Sequence, residues 1–295
     1  MSDPVFSRVA IIGLGLIGGS IATALHKRGL AATVVAFDQN RESLQLGKQS
    51  GIITEAADSI PAAVQDSDLI ILAVPVLAVK AVLREIPATA LITDVGSVKT
   101  TVIEDSREVY GLIPDCLVPG HPVAGSEKHG VTSANPDLFE NHKVILTPVA
   151  ETKPSAVERI RNLWRGLGAT VVVMTVEHHD RILARTSHLP HLLAYALVDT
   201  LLSQDDGQEI FRYAAGGFRD FTRIAGSDPI MWRDIFLANG PAVLEILDDY
   251  QEKLEELRSM IDQGNVADLQ RVLNQASQAR DDYTQNDIEK IRGGS

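Results

Sequence analysis

Two short stretches of the sequence combine residue types that can move a proton from a hydroxyl group. The stretch GHPVAGSE, residues 120–127, frames His121 between a glycine and a proline, and the stretch DVGSVK, residues 94–99, contains Ser97. A neutral imidazole can accept a hydroxyl proton as hydride leaves the same carbon, and a serine hydroxyl can orient that hydrogen bond. We therefore predict that His121 is a general base and that Ser97 assists it.

Each of these residues also has a structural explanation. His121 could be a loop histidine stiffened by Pro122, and Ser97 could cap the N-terminus of the helix that follows it. Glu127, six residues after His121, could tune the imidazole, contact a substrate or only hold the loop. The residue types alone leave both interpretations open.

A glycine-rich turn near the N-terminus predicts a dinucleotide site. The run VAIIGLGLIGGS places Gly13, Gly15 and Gly18 in G-x-G-x-x-G spacing between a strand and a helix. Such glycines permit a tight turn, the approach of a pyrophosphate and close packing of the helix, whose N-terminus faces the phosphate charge. Leu16 and Ile17 lie inside this fingerprint, so we include them among the expected cofactor-binding residues.

Asp38 ends the next predicted strand, TVVAFD, twenty residues after Gly18. A carboxylate at this position accepts hydrogen bonds from both ribose hydroxyls and repels a 2′-phosphate, which favours NAD over NADP. NADP stays an alternative because Arg41 follows closely, and FAD also fits the fingerprint although no second flavin motif is visible. Val74 and Pro75 end the strand run DLIILAVP, where we expect them to border the nicotinamide ribose.

The second half of the chain contributes candidate substrate-binding residues. The run HHDRILARTSHLPH contains His179 and His191 among four histidines, and GGFRDFTRIAGSDPIMWRD contains Arg223 and Trp232. An arginine fork binds a carboxylate through two hydrogen bonds, so Arg223 is a candidate anchor for an anionic substrate. Arg219 is better explained by an ion pair with the aspartate that follows it. We predict no metal site, because the histidines lack H-E-x-x-H spacing and precede a long apolar face.

Hydrophobic patterning divides the chain near residue 175. Before this point, seven short β-branched runs alternate with amphipathic helical stretches, which predicts a mainly parallel sheet with helices on both faces. After it, apolar residues recur at helical spacing and no comparable strand run occurs. The predicted fold is an α/β Rossmann-like dinucleotide-binding domain over residues 1–175 and an all-α C-terminal dimerisation domain over residues 176–285, with a tail or linker over residues 286–295.

Composition limits the classes of partner. The chain has 295 residues, 45% of them hydrophobic, and its formal net charge of -12 argues against a nucleic-acid or anionic-membrane surface. The single cysteine, Cys116, excludes an internal disulfide, and the N-terminus lacks the features of a signal peptide, so we expect a cytoplasmic protein. Long apolar helix faces after residue 175 predict a homodimer, although these faces could instead pack within one chain.

Together these motifs resemble the prephenate/arogenate dehydrogenase family of tyrosine biosynthesis. The resemblance covers nearly the whole chain, through IIGLGLIGGS, DVGSVK, GHPVAGSEKHGV, SHLPH and GFRDFTRIAGSDPIMWRDI. It implies oxidation of a cyclohexadienol with NAD or NADP and loss of carbon dioxide, giving 4-hydroxyphenylpyruvate from prephenate or tyrosine from arogenate. It also implies a dinucleotide domain followed by a helical dimerisation domain.

The resemblance implies roles for individual residues as well. His121 would accept the hydrogen bond of the ring hydroxyl, Ser97 would position that hydroxyl and the nicotinamide, and Arg223 would bind a substrate carboxylate. The pocket would be completed by His191, Trp232, His179 and Glu127. We find no regulatory domain after the helices, so we expect any inhibition by tyrosine to act at the active site itself.

Two other functions stay open at this point. A β-hydroxyacid dehydrogenase of similar plan would carry a catalytic lysine on the first helix of its second domain, where this chain has Arg181, Arg185, His188 and His191. A non-catalytic NAD-binding dimer would need neither a base at His121 nor an arginine at position 223. Prephenate and arogenate also stay alternative substrates, because they differ only at a side chain that the motifs do not distinguish.

Overall fold

The computed structural model describes residues 4–125, 129–204 and 207–293. The chain divides into two compact units, Met1–Val243 and Leu244–Ser295. The predicted boundary near residue 175 marks the change from strands to helices inside the first unit, and as a domain boundary it stays a prediction. Among the described residues, no helix is long and apolar enough to cross a membrane.

Six parallel strands form the main sheet of the first unit. They are β1 (Phe6–Ile12), β2 (Ala31–Phe37), β3 (Glu55–Ala56), β4 (Leu69–Leu72), β5 (Ile92–Asp94) and β6 (Leu117–Val118). Their order is β3-β2-β1-β4-β5-β6, so the direction of winding reverses between β1 and β4. In an open parallel sheet, the ligand crevice lies outside the carboxyl ends of the strands at such a reversal.

Helices cover both faces of this sheet. The helices that accompany the strands are α1 (Leu16–Lys27), α2 (Arg41–Gln49), α3 (Ile60–Val64), α4 (Val79–Leu83), α5 (Thr100–Tyr110) and α6 (Pro154–Gly166). Alternate residues of β1 belong to two separate cores, Val9 and Ile11 to one and Ala10 and Ile12 to the other. Because side chains alternate across a strand, this arrangement confirms the predicted sheet with helices on both faces.

A second, three-stranded sheet carries the candidate base. It consists of β7 (Gly120–Pro122), β8 (Lys143–Leu146) and β9 (Thr170–Val173), with β7 antiparallel to β8. The sequence predicted β8 and β9 but neither β3 nor β7, and it did not separate this sheet from the first. Pro119 lies between β6 and β7, and since proline has no N–H to donate to a ladder, the chain leaves the main sheet there.

From residue 176 onward the described residues form helices and turns, which confirms the predicted helical half. The helices are α7 (Val176–Leu183), α8 (Leu189–Leu202), α9 (Gly207–Arg212), α10 (Gly216–Thr222), α11 (Pro229–Ala238), α12 (Gly240–Asp262) and α13 (Val266–Gly293). The backbone of residues 286–293 continues α13. A role for these residues as a tail or linker stays a prediction.

A wide turn joins α7 to α8 inside the SHLPH motif. Residues Ala184–His188 form a single π-helical turn, and Pro190 follows it in the first turn of α8. Proline cannot donate a helical hydrogen bond and its ring crowds the carbonyl four residues earlier, which favours a widened turn at this point. The turn leaves His188 buried and brings its ring to an edge contact with Trp232, with 6.1 Å between the ring centroids.

Candidate functional site

In the glycine-rich loop between β1 and α1, a side chain would clash at two of the glycines and would fit at the third. Gly13 has a φ of +100°, and a Cβ there would lie 2.4 Å from the carbonyl oxygen of Ala73. A Cβ on Gly18 would lie 2.0 Å from the carbonyl oxygen of Gly13, whereas a Cβ on Gly15 would meet no atom within 4 Å. The loop therefore packs tightly at its ends and leaves space at Gly15 for a pyrophosphate to approach the backbone.

The N-terminus of α1 is suited to an anion. Its N-cap residue Gly15 has no side chain to cap the helix, and the first turn, which contains Leu16 and Ile17, has no acidic residue. The first N–H groups of a helix lack partners within the helix and carry partial positive charge. These groups fit the diphosphate of a dinucleotide, as the fingerprint predicted.

Asp38 lies at the end of β2, beside this loop. Its carboxylate accepts hydrogen bonds from the backbone N–H of Leu14 at 2.6 Å and of Asn40 at 2.7 Å. A cavity of 410 Å³ adjoins the loop, and its lining includes Gly13, Gly15, Asp38, Val74 and Pro75. A carboxylate has about four acceptor sites, so Asp38 can hold the loop and still accept a ribose hydroxyl. Arg41, the residue that left NADP open, is paired with Asp58 at 2.9 Å.

His121 lies in β7, opposite Ile145 of β8, so it is not the loop histidine that one interpretation of the sequence allowed. Its side chain is buried, and its Nδ1 atom lies 2.9 Å from Nε2 of His179. His179 is 0% exposed, and its Nδ1 atom lies 2.7 Å from Oδ1 of Asp180. The three side chains form one hydrogen-bonded row, with His179 behind His121.

A buried ion pair holds the backbone next to His121. Lys99 is fully buried, and its Nζ donates to the carboxylate of Asp94 and, at 2.7 Å, to the carbonyl oxygen of Gly120. The N–H of Gly120 donates to Oδ1 of Asp94 at 3.2 Å. Both polar groups of Gly120 are thus bound by the pair, which fixes the peptide that precedes the candidate base. Burial lowers the pKa of Lys99, while the charge of Asp94 opposes this effect.

Asp180 caps the helix that follows Ser97. Its two carboxylate oxygens accept the backbone N–H of Lys99 at 2.9 Å and of Thr100 at 2.8 Å, where α5 begins. The N-cap position belongs to Lys99, so Ser97 is not the cap that the sequence allowed as an alternative. Ser97 is half-buried in the segment between β5 and α5. The contact of Asp94 with Gly120 brings this segment to the strand of His121.

Both histidines of the row are neutral at pH 7. Burial lowers the pKa of His121 well below its ordinary value, and the positive charge of Lys99 lowers it further. Burial also lowers the pKa of His179, although its hydrogen bond with Asp180 opposes this effect. A neutral imidazole can accept a proton, so His121 has the protonation state that a general base needs.

An aromatic pair lies beside the crevice. The ring of His191 stacks on Trp232 with 3.6 Å between centroids, and its Nδ1–H donates to the carbonyl oxygen of Ser187 at 2.8 Å. Trp232 is buried in a small cluster with Val76 and Val98. These two valines directly follow Pro75 and Ser97 at the carboxyl ends of β4 and β5, so the aromatic pair adjoins the nicotinamide end of the predicted cofactor site.

Arg223 begins a short turn, Arg223–Gly226, after α10, and its side chain is exposed. Burial lowers the pKa of His191, and the positive charge of Arg223 lowers it further, which indicates that the two side chains are neighbours. Arg219 and Asp220 are both described and exposed, and they do not form the ion pair expected from the sequence. An exposed pair of this kind contributes little to stability, so nothing enforces it.

The structure brings most of the predicted residues to one region, but it also adds residues that the sequence reasoning missed. Glu127 lies outside the described residues. Asn239 donates through Nδ2 to the carbonyl oxygen of Asp180 at 2.8 Å and to Nδ1 of His188 at 3.1 Å. Asp94, Lys99 and Asp180 lie within the quoted motifs DVGSVK and HHDRILARTSHLPH, and Asp94 could have been identified as an acid at the end of a strand. No sequence pattern marked Asn239.

The described residues contain no group of three or more His, Cys, Asp or Glu side chains placed to hold a metal ion. The four histidines of α7, the π-helical turn and α8 instead have different surroundings. His178 is exposed beside Arg181, His179 and His188 are buried, and His191 is stacked on Trp232.

Both halves of the chain match models of one protein family. Residues 21–173 match the prephenate dehydrogenase nucleotide-binding domain, and residues 175–275 match the prephenate dehydrogenase dimerization domain. The cyclohexadienyl dehydrogenase of Zymomonas mobilis is 39% identical over 87% of this chain and 89% of its own length. The prephenate dehydrogenase of Bacillus subtilis is 38% identical over 92% of this chain and 75% of its own length.

Solved structures agree with these matches. The prephenate dehydrogenase of A. aeolicus, crystallised with hydroxyphenyl propionate and NAD+, has a TM-score of 0.87 and 35% identity, covering 94% of this chain and 98% of its own. The arogenate dehydrogenase of Synechocystis has a TM-score of 0.77 and 29% identity, covering 94% of this chain and 99% of its own. The chain therefore belongs to the prephenate dehydrogenase family.

Proposed function

We propose that this protein oxidises and decarboxylates prephenate to 4-hydroxyphenylpyruvate, or arogenate to tyrosine, with NAD as the hydride acceptor, in tyrosine biosynthesis. The observation that carries the proposal is His121, a buried neutral imidazole bonded to His179, whose preceding residue Gly120 is held by Lys99 and Asp94. A base at this end of the crevice would serve the hydroxyl-bearing carbon next to the nicotinamide.

The glycine-rich loop and the N-terminus of α1 would hold the diphosphate of NAD, and Asp38 would hold its adenosine ribose. Val74 and Pro75 would border the ribose on the nicotinamide side. When bound, NAD supplies the carbon that accepts hydride from the substrate ring. Asp38 supports NAD over NADP, because its carboxylate lies beside the loop and would repel a 2′-phosphate, whereas the pair of Arg41 with Asp58 is exposed and holds Arg41 only weakly.

His121 would accept the hydroxyl proton as hydride leaves the same carbon for NAD, so that the electrons of the O–H bond form a ring carbonyl where the C–H bond is broken. Loss of the ring carboxylate as carbon dioxide then sends an electron pair into the ring, which becomes aromatic. The ring oxygen takes a proton again, and His121 can return the one that it accepted, so the reaction releases no net proton. Ser97 would orient the hydroxyl, and no metal is needed for this chemistry.

The other end of the substrate would bind near Arg223. This arginine is exposed and, within the described part of the chain, no acidic side chain pairs with it, so its fork is available for a substrate carboxylate. The stacked rings of His191 and Trp232 would form an apolar wall for the substrate ring. We keep Glu127 as a supporting residue of this pocket, and we propose that His179 acts through His121 and not by touching substrate.

The rival β-hydroxyacid dehydrogenase would require a catalytic lysine on α7, and this helix has none. A non-catalytic NAD module would have no use for a buried base joined to a second histidine and a carboxylate. Both alternatives are therefore less consistent with the site than a dehydrogenase of the prephenate family.

We propose that the protein is a homodimer formed through its helical half. Large apolar side chains are exposed on several helices of this half: Leu202, Tyr213, Phe221, Ile230, Met231, Leu237, Leu254, Ile261 and Leu273. An open apolar hollow of 540 Å³ is lined by Phe211, Tyr213 and Phe218, among others. Exposed apolar surface of this extent favours a partner, and sedimentation at two protein concentrations tests for a dimer.

Tyrosine carries the same carboxylate and ring as the product, so we propose that it inhibits by competing with the substrate at Arg223 and the aromatic wall. An inhibition pattern that is not competitive with the substrate contradicts this proposal. We propose the cytoplasm as the location, since a single cysteine can form no internal disulfide.

The direct test combines the purified protein with NAD or NADP and with prephenate or arogenate in turn. Formation of reduced nicotinamide is followed by absorbance, and the aromatic product is identified by chromatography. We expect turnover with NAD and at least one of the two substrates. Absence of turnover with either substrate would remove the proposed function.

A further inference from the structure

Three side chains lie in a row behind the reactive end of the crevice. His121 and His179 meet edge to face, with ring centroids 5.1 Å apart, and His179 contacts Asp180 on its other side. Asp180 is held in turn by backbone N–H groups at the start of α5. The row therefore joins the candidate base to a buried carboxylate through a second buried imidazole.

The hydrogen bonds of this row determine where each histidine carries its hydrogen. Burial opposes ionisation of Asp180, but hydrogen bonds from His179 and Thr100 hold its pKa below the ordinary value, so it is a carboxylate. A carboxylate only accepts, so Nδ1 of His179 carries a hydrogen and its Nε2 is an acceptor. Nδ1 of His121 must then donate to that acceptor, which leaves Nε2 of His121 without a hydrogen.

The charges around His121 indicate which group compensates its positive charge when it becomes protonated. The charged or titratable groups that act on it are Lys99, His179, His188 and Asp180. Lys99 is neutralised by its partner Asp94. When His121 accepts a proton, the carboxylate of Asp180 is the remaining negative charge in this group, and it reaches the imidazolium through His179.

We propose that His179 and Asp180 are positioning residues for the proton transfer of the proposed reaction. They hold His121 with Nε2 free to accept the hydroxyl proton, and they stabilise the imidazolium until that proton returns to the ring oxygen. The inference rests on the proposed role of His121 as the base. It resembles the general logic in which an acid orients a catalytic histidine and compensates its charge, here with a second imidazole between them.

Substitutions at position 179 distinguish loss of the hydrogen-bond acceptor that orients His121 from loss of side-chain volume. His179→Leu fills similar space but removes the acceptor for Nδ1 of His121, whereas His179→Gln retains a side-chain oxygen that can accept. We expect kcat to fall roughly 10- to 1000-fold in the leucine variant and to recover in part in the glutamine variant, with KM for NAD unchanged. The exposed neighbour His178 provides the control, since His178→Leu should leave kcat unchanged.

Asp180→Asn tests the charge. Without the carboxylate the imidazolium of His121 loses its compensating charge, so the acid limb of the kcat/KM profile should move to lower pH while kcat falls. Because this variant also weakens the cap of α5, circular dichroism and NAD binding must accompany it. Should it fail to fold, the pair of variants at position 179 still decides the question.

Nitrogen-15 spectra of labelled histidine in the wild-type protein test the hydrogen positions directly. We expect His121 to carry hydrogen on Nδ1 and none on Nε2. A hydrogen on Nε2 would overturn the inference, as would wild-type turnover in both His179→Leu and Asp180→Asn. The inference would also be overturned if kcat fell equally in His179→Leu and His179→Gln and if the acid limb did not shift in a folded Asp180→Asn. That combination would indicate a purely structural role for His179 and Asp180.

These outcomes are distinct from failure of the proposed function. If the wild-type protein turns over prephenate or arogenate and loses turnover on substitution of His121, the function stands whatever the variants at positions 179 and 180 do. If the wild-type protein turns over neither substrate, both proposals fall.

Discussion

The cofactor cradle and the reactive centre lie at the same edge of the sheet but are built in opposite ways. The proposed cradle consists of residues 13–18, where backbone N–H groups, and glycines that have no side chain, would contact the diphosphate of NAD. The reactive centre consists of buried polar side chains that come from separate segments of the chain: Asp94, Lys99, His121, His179, Asp180 and Asn239. One region depends on local geometry and the other on long-range contacts.

This difference predicts how the two regions respond to change. Substitutions in the cradle should alter NAD affinity with little effect on the chemical step. Substitutions in the reactive centre should alter the chemical step, the pH dependence or stability, because each buried polar group there has partners that would be left without a hydrogen bond. The following experiments test whether the two regions can be separated in this way.

The largest effect is expected at the base. His121→Asn removes the proton acceptor, so kcat should fall by about two to four orders of magnitude, the usual range for loss of a general base. NAD affinity should be unchanged, since the cradle is intact, and titration calorimetry would measure it beside steady-state rates. His142→Asn, at an exposed histidine, is the control. Normal turnover in His121→Asn would reassign the base.

The reactive centre should also make the free energy of unfolding depend on pH in the acidic range. Burial lowers the pKa of His188 from an ordinary value of 6.5 to about 4. Below pH 6.5 the unfolded chain takes up this proton before the folded chain does, so the free energy of unfolding should fall by up to roughly 3 kcal/mol between pH 6.5 and pH 4. Above pH 6.5 this group makes no contribution.

Urea unfolding across this pH range provides the measurement. His188→Phe lacks the titrating group, so its stability should decline less steeply with acid than that of the wild type, whatever its stability at neutral pH. His178→Leu should retain the wild-type slope because His178 is exposed. Equal slopes in His188→Phe and the wild type would contradict the assignment.

A smaller effect is expected at the substrate anchor. Arg223→Ala should raise KM for the substrate about 10- to 150-fold, the equivalent of the roughly 1.5–3 kcal/mol of a hydrogen bond to a charged group. KM for NAD should stay constant. Arg219→Ala changes an exposed arginine of α10 in the same way, and it should leave both constants unaltered. Equal effects of the two substitutions would show that Arg223 acts only through general charge.

The smallest effect separates the two kinds of glycine within the cradle. Gly15→Ala places a methyl group where the protein has no atom within 4 Å, so stability should be unchanged while NAD binds more weakly. We expect a loss of about tenfold, or roughly 1.4 kcal/mol. Gly18→Ala meets a backbone oxygen at 2.0 Å and should instead lower stability, by roughly 1–3 kcal/mol. Unchanged NAD affinity in Gly15→Ala would place the diphosphate elsewhere.

Much of the fold could be predicted because its patterns are local. The continuous apolar run of β1, strand-end glycines and the apolar stripes of α8, α12 and α13 follow from neighbouring residues, and the sheet and the helical half were predicted from them. The sequence did not reveal β7, because a three-residue strand with a proline at its end has no alternating pattern. It therefore left His121 as either a loop residue or a base.

The sequence by itself determined the glycine spacing of the cofactor cradle, the acid at Asp38 and the motifs that carry the family resemblance, since each depends on residues close together in the chain. Only the tertiary structure decided that Asp180 caps α5, that His179 lies behind His121, and that Lys99 and Asp94 hold Gly120. The physical reason is that these contacts join segments 21 to 81 residues apart. Their strength comes from burial, which short-range spacing does not encode.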